Sequence, residues 1–102
     1  MNYAALKISV IGGTGFLGKS FVDNLSKKGI KSRLLIHKTQ NTSSNESYFG
    51  DVLVSTSLEN FLEKDDIVIN FTGQLGNNFE DYVKTNLTGS FNLLNSCVKK
   101  QV

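Results

Sequence analysis

Apolar residues along the chain form short runs that alternate with longer segments of helical spacing. The short runs are rich in β-branched residues, which is typical of buried parallel strands. They predict strands over residues 6–11, 32–37, 48–49 and 66–71. Between and after them, apolar residues recur every three or four positions, which predicts helices near residues 15–28, 57–62 and 79–100.

The first predicted helix has a recognisable apolar face and a recognisable end. Phe21 and Leu25 share one face of this helix with Phe16 or Leu17. Gly29 follows the last periodic residue, where a glycine commonly ends a helix. We therefore expect this face to pack against the sheet and the helix to end before Gly29.

The two later helices carry further signals. Ser55 or Ser57 is available to cap the short second helix. In the last helix Gly89 costs about 1 kcal/mol relative to alanine, so we expect it to serve close packing. Apolar residues of this helix also recur near heptad spacing, at Tyr82 or Val83, Leu87, Phe91, Leu94 and Val98.

Strands and helices thus alternate, interrupted by a polar loop over residues 38–46 and a turn-rich loop over residues 73–78. This order predicts the α/β class, with a parallel sheet of about four strands, right-handed crossovers and helices on both faces. No repeat, linker or change in composition divides the chain, so we expect a single domain over residues 1–102.

Composition places the chain among ordinary globular proteins and argues against several functions. Of its 102 residues 39% are hydrophobic and 20% are charged, and the net charge of +2 is too small to indicate nucleic-acid binding. The first five residues lack a secretory pattern, and no apolar run is long enough to span a membrane. Cys97 is the only cysteine, so an intrachain disulfide is excluded, and we expect a cytoplasmic protein with a buried, inert thiol.

The most informative segment is the glycine-rich turn between the first strand and the first helix. Gly12, Gly15 and Gly18 recur at a spacing of three, and Gly13, Gly15 and Gly18 also satisfy the tighter dinucleotide-binding pattern. Residues without a Cβ let the backbone approach a pyrophosphate, while the following helix directs its free N–H groups and its dipole at the phosphates. The turn therefore predicts dinucleotide binding.

Four stretches, in a consistent order and spacing, give the chain a family likeness. They are Gly12-Gly13-Thr14-Gly15-Phe16-Leu17-Gly18, Gly50-Asp51-Val52, Val68-Ile69-Asn70-Phe71-Thr72-Gly73 and Asn86-Leu87-Thr88-Gly89-Ser90-Phe91-Asn92-Leu93-Leu94. On these motifs the chain resembles the N-terminal part of the extended short-chain dehydrogenase/reductase superfamily, the NAD(P)-dependent epimerases and dehydratases. The resemblance implies a partial Rossmann, or doubly wound, fold with strand order 3-2-1-4.

The resemblance also implies roles for individual residues. The first stretch would hold the pyrophosphate, Asp51 and the Val52 amide would contact adenine, and Asn86 would bond to backbone near the centre of the sheet. From the residues alone, a capping or turn role is the alternative for Asp51, and a structural role is the alternative for Asn70, Thr72 and Gly73 at the end of the fourth strand. The candidate cofactor contacts, by resemblance or by position, are Gly12, Gly13, Thr14, Gly15, Phe16, Leu17, Gly18, His37, Lys38, Asp51, Val52, Phe71, Thr72 and Gly73.

The end of the second strand bears on the choice of dinucleotide. A site for NAD usually places an acid there to bind the ribose 2′-OH, but no acid occurs between Asp23 and Glu46. His37 and Lys38 offer positive charge suited to a 2′-phosphate, which favours NADP over NAD. A plain surface histidine is the alternative interpretation of His37.

The chain offers no clear candidates for catalysis or metal binding. In the family, the tyrosine of a Tyr-x-x-x-Lys motif moves a proton while hydride moves to or from the nicotinamide. In the family that motif lies beyond the last helix of this chain; its only match here, Tyr3 to Lys7, precedes the first strand and is interpreted as coincidence. No cluster of His, Cys, Asp and Glu has the spacing of metal ligands.

Three functions are compatible with such a chain. The first is the dinucleotide-binding part of a nucleotide-sugar epimerase, dehydratase or reductase, which would be inactive alone. The second is a non-catalytic module that binds a nucleotide or a protein. The third is the remnant of a broken gene. A nucleotide sugar is the substrate implied for the full-length context. The open edge of the fourth strand and the apolar last helix predict self-association or pairing with a second chain.

Overall fold

The computed structural model describes residues 6–13, 15–37, 46–72 and 78–102. Its strands are β1 (Ile8–Ile11), β2 (Ser32–Ile36), β3 (Glu46–Phe49) and β4 (Ile67–Asn70). Its helices are α1 (Phe16–Lys27), α2 (Ser55–Phe61), α3 (Phe79–Val83) and α4 (Gly89–Lys100), with a π-helical segment (Lys84–Thr88) joining α3 to α4. Every predicted strand and helix is present, with small differences at the ends, and the single helix predicted near residues 79–100 consists of α3, the π-helical segment and α4 in succession.

The four strands form one parallel sheet in the order β3-β2-β1-β4, which confirms the predicted topology. β1 pairs with β2 on one side and with β4 on the other, so it lies inside the sheet, and all of its residues are buried. β3 and β4 form the edges and are the more exposed strands. Because all pairs are parallel, the carboxyl ends of the strands meet at one edge of the sheet.

Two apolar clusters cover the two faces of the sheet, because successive residues of a strand point to opposite sides. One cluster draws on β1, β2 and α1 and consists of Ile8, Val10, Val22, Ile30, Leu34 and Ile36. The other joins β1 and β2 to α2 and α4 and consists of Ile11, Leu35, Val52, Leu58, Phe61, Leu62 and Leu93. Helices therefore pack on both faces, as the alternation of elements predicted.

Helix α1 packs through only part of its predicted face. Phe21 and Leu25 are half-buried against the sheet, as expected. The prediction that Phe16 or Leu17 shares this face is wrong, because these side chains are 94% and 66% exposed. Gly18 is buried, so it marks the side of the first turn that faces the sheet. Phe16 lies two residues earlier, and at about 100° per residue its side chain therefore points away from the sheet.

The ends of the helices are only partly as predicted. Gly29 has φ +75° just after α1, which is the left-handed conformation expected of a C-terminal glycine. The prediction that Ser55 or Ser57 caps α2 is wrong, because the cap position is Val54 and Ser55 is already the first helical residue. Ser57 Oγ instead lies 2.9 and 2.7 Å from the carbonyl oxygens of Asp51 and Val54, which ties the helix to the turn before it.

The last helix packs through small residues and one leucine. Gly89, Leu93 and Ser96 are the buried residues of α4. A Cβ on Gly89 would lie 2.7 Å from Val52 Cγ2, so close packing accounts for the glycine, as predicted. Residues of the heptad-spaced stripe are exposed instead, namely Leu87, Phe91, Leu94 and Val98. The stripe that identified this helix in the sequence is therefore not the face that attaches it to the sheet.

A buried polar cluster joins the elements toward the amino ends of the strands. The Asp66 carboxylate is fully buried and accepts hydrogen bonds from Ser9 Oγ (2.9 Å), the Glu63 N–H (2.8 Å) and Arg33 Nη1 (3.2 Å). Arg33 Nη2 donates to the Phe61 carbonyl at the end of α2. The cluster thus connects β1 and β2 to the segment between α2 and β4 with a charged pair inside the core.

Candidate functional site

The predicted site residues lie at the carboxyl edge of the sheet. β1 runs directly into Gly12 and Gly13, β2 into His37, and β4 into Phe71. The ends of β1 and β4 are in direct contact, since the Phe71 N–H donates to the Ile11 carbonyl at 2.7 Å. In open parallel sheets, ligands bind outside this edge.

Two glycines of the turn, Gly12 and Gly18, are required by the fold itself. Gly12 has φ +80°, and a Cβ there would lie 2.9 Å from the Phe71 carbonyl carbon. A Cβ on Gly18 would overlap the Gly12 carbonyl oxygen, so the turn packs too tightly against β4 and itself for a side chain at either position. Gly13 is closely packed as well, but a Cβ there would lie 3.1 Å from Leu34 Cδ2, which a small shift of that side chain relieves.

Gly15 differs from the other three, because packing does not explain its lack of a side chain. Its φ of −77° and ψ of 179° are accessible to any residue, and it is exposed. Among the described atoms, a Cβ on Gly15 would meet only the Gly12 carbonyl oxygen, at an ordinary 3.6 Å. The space beside Gly15 is therefore not filled by the described part of the chain.

The N-terminal end of α1 supplies hydrogen-bond donors at the same place. Gly15 is the N-cap residue, and the first hydrogen bond of the helix runs from the Lys19 N–H to the Gly15 carbonyl at 2.8 Å. The N–H groups of Phe16, Leu17 and Gly18 precede that bond, and such groups have no partner inside a helix. Together with the positive end of the helix dipole they suit an anion, and above all a phosphate.

At the ends of β2 and β3, the side chains of His37 and Asp51 are in contact. His37 Nε2 lies 3.2 Å from Asp51 Oδ2, and the two side chains are 68% and 28% exposed. The other carboxylate oxygen, Oδ1, accepts from the Leu53 N–H at 2.9 Å. Asp51 therefore fills the turn role that the sequence left open, while its Oδ2 faces His37. Two residues predicted separately as cofactor contacts are thus brought together.

The segment after β3 is held by side chains that the sequence did not assign to the site. Ser57 Oγ accepts from the Asp51 N–H, and Asn92 Nδ2 of α4 donates to the Val52 carbonyl, each at 3.0 Å. The Val52 side chain is part of the core. Asn92 lies three residues after Gly89 and so on the same face of α4, which means that helical spacing within the last motif could have predicted its contact with Val52.

Polar groups at the end of β4 satisfy one another. Asn70 Oδ1 accepts from the Thr72 N–H at 2.9 Å and from the Thr72 hydroxyl. The Phe71 ring packs on Phe21 of α1, with ring centres 5.4 Å apart. These contacts favour the structural role for the side chains of this segment, although its backbone borders the glycine turn. A cofactor contact here stays a prediction.

Several predicted features fall outside the described residues, namely Thr14, Lys38, Gly73, Tyr3 and the loops over residues 38–45 and 73–77. Lys7, the other end of the Tyr-x-x-x-Lys match, precedes β1, and its Nζ donates to the Lys64 carbonyl at 2.7 Å. Lys7 is thus at the amino edge of the sheet, away from the glycine turn. The predicted backbone contact of Asn86 stays a prediction.

Other features of the described part of the chain lie away from the carboxyl edge. A cavity of about 570 Å³ opens at the amino ends of β1 and β2, beside Arg33 and Glu63. Burial, and then the Asp66 carboxylate, raise the pKa of the Cys97 thiol, which favours its neutral form. The thiol is half-buried against the cluster that contains Leu93, whereas the sequence predicted a buried one, and its inertness stays a prediction. Within the described ranges no group of His, Cys, Asp and Glu is arranged to hold a metal ion. No helix in those ranges is long and apolar enough to cross a membrane.

Solved structures with the same fold include sugar-nucleotide enzymes. UDP-N-acetylglucosamine 4-epimerase from Bacillus cereus is 26% identical with a TM-score of 0.80, over 96% of this chain and 33% of that one. UDP-glucose 4-epimerase from Thermus thermophilus, in complex with NAD, is 22% identical with a TM-score of 0.79, over 95% and 35%. A mutant uronate dehydrogenase from Agrobacterium tumefaciens, complexed with NAD, is 19% identical with a TM-score of 0.77, over 90% and 36%.

The sequence comparison is more specific than the comparison of folds. The chain spans about a third of the length of these solved structures. No curated protein sequence matches it. The profile of the family described as NAD dependent epimerase/dehydratase, however, matches residues 8–102, which takes in all four strands, the glycine turn and the last helix. Because that match covers nearly the whole chain, the chain belongs to the NAD-dependent epimerase/dehydratase family.

Proposed function

We propose that this chain binds an NAD-type dinucleotide with the pyrophosphate on its glycine turn, as the cofactor-binding part of a nucleotide-sugar epimerase, dehydratase or reductase. Gly15 is the observation that carries the proposal. It is exposed, it lies beside the free N–H groups at the start of α1, and the fold would accept a side chain there. A pyrophosphate accounts for the glycine, because only bare backbone lets phosphate oxygens reach those amides.

The family and its structural neighbours support this class of cofactor. The family description names NAD, and two of the similar structures contain it. A further similar structure, MoeE5 in complex with UDP-glucuronic acid and NAD, has a TM-score of 0.81 at 22% identity. Those ligands belong to the neighbours; for this chain, the dinucleotide and a nucleotide-sugar substrate are proposals.

Different residues of the chain would contact different parts of the dinucleotide. Gly15 and the amides after it hold the pyrophosphate, Asp51 and the Val52 amide border the adenine, and His37 lies toward the ribose 2′ position. Bound there, the nicotinamide supplies hydride transfer. The remaining residues assigned to the site are Gly12, Gly13, Thr14, Phe16, Leu17, Gly18, Lys38, Phe71, Thr72 and Gly73.

Within this proposal we favour NADP over NAD. His37 follows β2 about 20 residues beyond the glycine turn, where a site for NAD usually places an acid. No acid occurs between Asp23 and Glu46, and the residue after His37 is Lys38. The Lys38 cation at this position suits a 2′-phosphate better than a 2′-hydroxyl.

Titration calorimetry of the chain with NADPH, NADH and ADP-ribose tests the proposal. All three ligands contain the pyrophosphate, so we expect each to bind weakly, with NADPH the tightest. Adenosine is the matched control, because it has the same base and ribose but no phosphate, and it should show no measurable binding. Equal binding of adenosine and ADP-ribose, or no binding of any nucleotide, would contradict a pyrophosphate site.

We further propose that the 102-residue chain binds its cofactor without turnover. The tyrosine and lysine that move protons in this family have no counterpart at the carboxyl edge among the described residues, since Lys7 lies at the other edge of the sheet. Incubation with NADP and UDP-sugars should therefore produce no NADPH and no epimer above a buffer blank. A rate that follows the protein through successive purification steps would refute this expectation.

A second candidate function, a module that associates with copies of itself, is favoured by exposed apolar surface. Leu87, Phe91, Leu94 and Val98 lie along the last helix and are 64% to 80% exposed. Such a patch is typical of interaction sites. We expect sedimentation velocity at tens of micromolar to show dimers or larger species, and Leu94→Glu to shift them toward monomer. A parent chain that sediments as a monomer would exclude this function.

A further inference from the structure

The His37–Asp51 pair gives the proposed cofactor site a charge that can change with pH. Asp51 Oδ1 is held by the Leu53 N–H, and Oδ2 lies 3.2 Å from His37 Nε2, so the carboxylate is fixed beside the imidazole. Histidine is the side chain whose charge ordinarily changes between pH 5 and 8. With a neutral imidazole the pair carries one net negative charge, and with an imidazolium it carries none.

The pair lies where this fold distinguishes one dinucleotide from another. His37 directly follows β2, and in dinucleotide-binding folds of this kind the end of that strand contacts the ribose 2′ substituent. Its side chain is 68% exposed, so the ring can meet a ligand while Nε2 stays on Asp51. Among the described residues, the charged partner that the structure gives His37 is Asp51, from the segment after β3; Lys38 lies outside them.

We propose that the His37–Asp51 pair makes the preference for a 2′-phosphate over a 2′-hydroxyl depend on pH. The inference rests on the proposed function, because it requires a dinucleotide along this edge. With a neutral imidazole the Asp51 charge repels a 2′-phosphate. An imidazolium, the form that lower pH favours for histidine in general, cancels that charge, and its second N–H donates a charge-assisted hydrogen bond to the phosphate. A 2′-hydroxyl is uncharged and responds much less.

Titration calorimetry with ADP-ribose and 2′-phospho-ADP-ribose at the two pH values isolates the effect. The two ligands differ only in the 2′-phosphate, so the ratio of their dissociation constants reports that position alone. We expect the preference for the 2′-phosphate to be about five- to tenfold greater at pH 6.5 than at pH 8.0. The phosphate itself begins to take up a proton near pH 6, which acts in the opposite direction.

Two variants separate the charge from the structure. His37→Gln keeps a hydrogen-bonding side chain that takes up no proton, so its preference should stay constant or fall slightly toward pH 6.5. Asp51→Asn keeps an acceptor for the Leu53 N–H but loses the negative charge. Without that charge nothing repels the 2′-phosphate at pH 8.0, so the preference should differ less between the two pH values than in the parent chain. Circular dichroism melting curves establish that each variant is folded.

The outcomes distinguish the inference from the function beneath it. If ADP-ribose binds and the 2′-phosphate preference is the same at both pH values, or changes equally in His37→Gln, the inference is overturned and the proposed function stands. If ADP-ribose does not bind, the proposed function is overturned and the inference with it.

Discussion

Replacing Gly15 with alanine is expected to weaken binding of ADP-ribose at least about tenfold while changing the free energy of unfolding by no more than about 1 kcal/mol. The backbone already has φ −77°, and the added Cβ meets the Gly12 carbonyl oxygen at an ordinary 3.6 Å. The methyl group would separate a pyrophosphate from the amides of α1, and each hydrogen bond to a charged group contributes about 1.5–3 kcal/mol. Titration calorimetry and urea unfolding measure the two effects.

Gly29→Ala is the matched control for this substitution. Gly29 has φ +75°, so alanine is strained there by about 1–2 kcal/mol, although nothing lies within 4 Å of the added Cβ. Gly29 follows the far end of α1, so this variant should lose stability and keep its affinity. The role given to Gly15 would be contradicted if both variants bound ADP-ribose as tightly as the parent.

Replacing Asp66 with alanine is expected to lower the free energy of unfolding by about 3–5 kcal/mol, which is a large share of the total stability of a small domain. The Asp66 side chain is fully buried, whereas that of its partner Arg33 is 16% exposed. Alanine would remove the acceptor for Ser9 Oγ and the Glu63 N–H and leave the Arg33 charge inside the core. Urea unfolding followed by circular dichroism measures the loss.

Two further variants show whether the buried charge is responsible. Glu63 also lies near Arg33, with its Oε1 3.5 Å from Nη1, but its side chain is 52% exposed. Glu63→Ala should therefore cost no more than about 1 kcal/mol. Asp66→Asn keeps a hydrogen-bond acceptor without the charge and should fall between the two alanine variants. Similar losses in Asp66→Ala and Glu63→Ala would refute the account of this cluster.

The parallel sheet and the placement of the glycine turn could be predicted because they depend on local, periodic signals, whereas the strand order was predicted from the resemblance to the family. β1 is interior and buried on both faces, so its sequence is mostly apolar, with Ser9 as the one polar residue, and the glycines after it mark the turn. Gly29 and Gly89 were likewise predictable, since one needs a positive φ and the other a close approach to Val52.

The pattern could not show which apolar residues are buried, because that depends on neighbouring elements. Phe16 and the stripe on the last helix satisfy helical spacing but are exposed, while Gly89, Leu93 and Ser96 make the attachment. The sequence also could not pair residues that are far apart along the chain. His37 with Asp51, Arg33 with Asp66, and Asn92 with Val52 meet only because the sheet and helices bring them together.

The central claim is that the turn at Gly15 and the first amides of α1 hold a pyrophosphate. Backbone amide spectra of the ¹⁵N-labelled chain, recorded during titration with ADP-ribose, test it at the level of single residues. We expect the largest shifts at Gly15, Phe16, Leu17 and Gly18, with smaller shifts at His37 and Asp51. Shifts centred instead on the cavity at the amino edge, near Lys7 and Arg33, or no shifts at saturating ligand, would contradict the account.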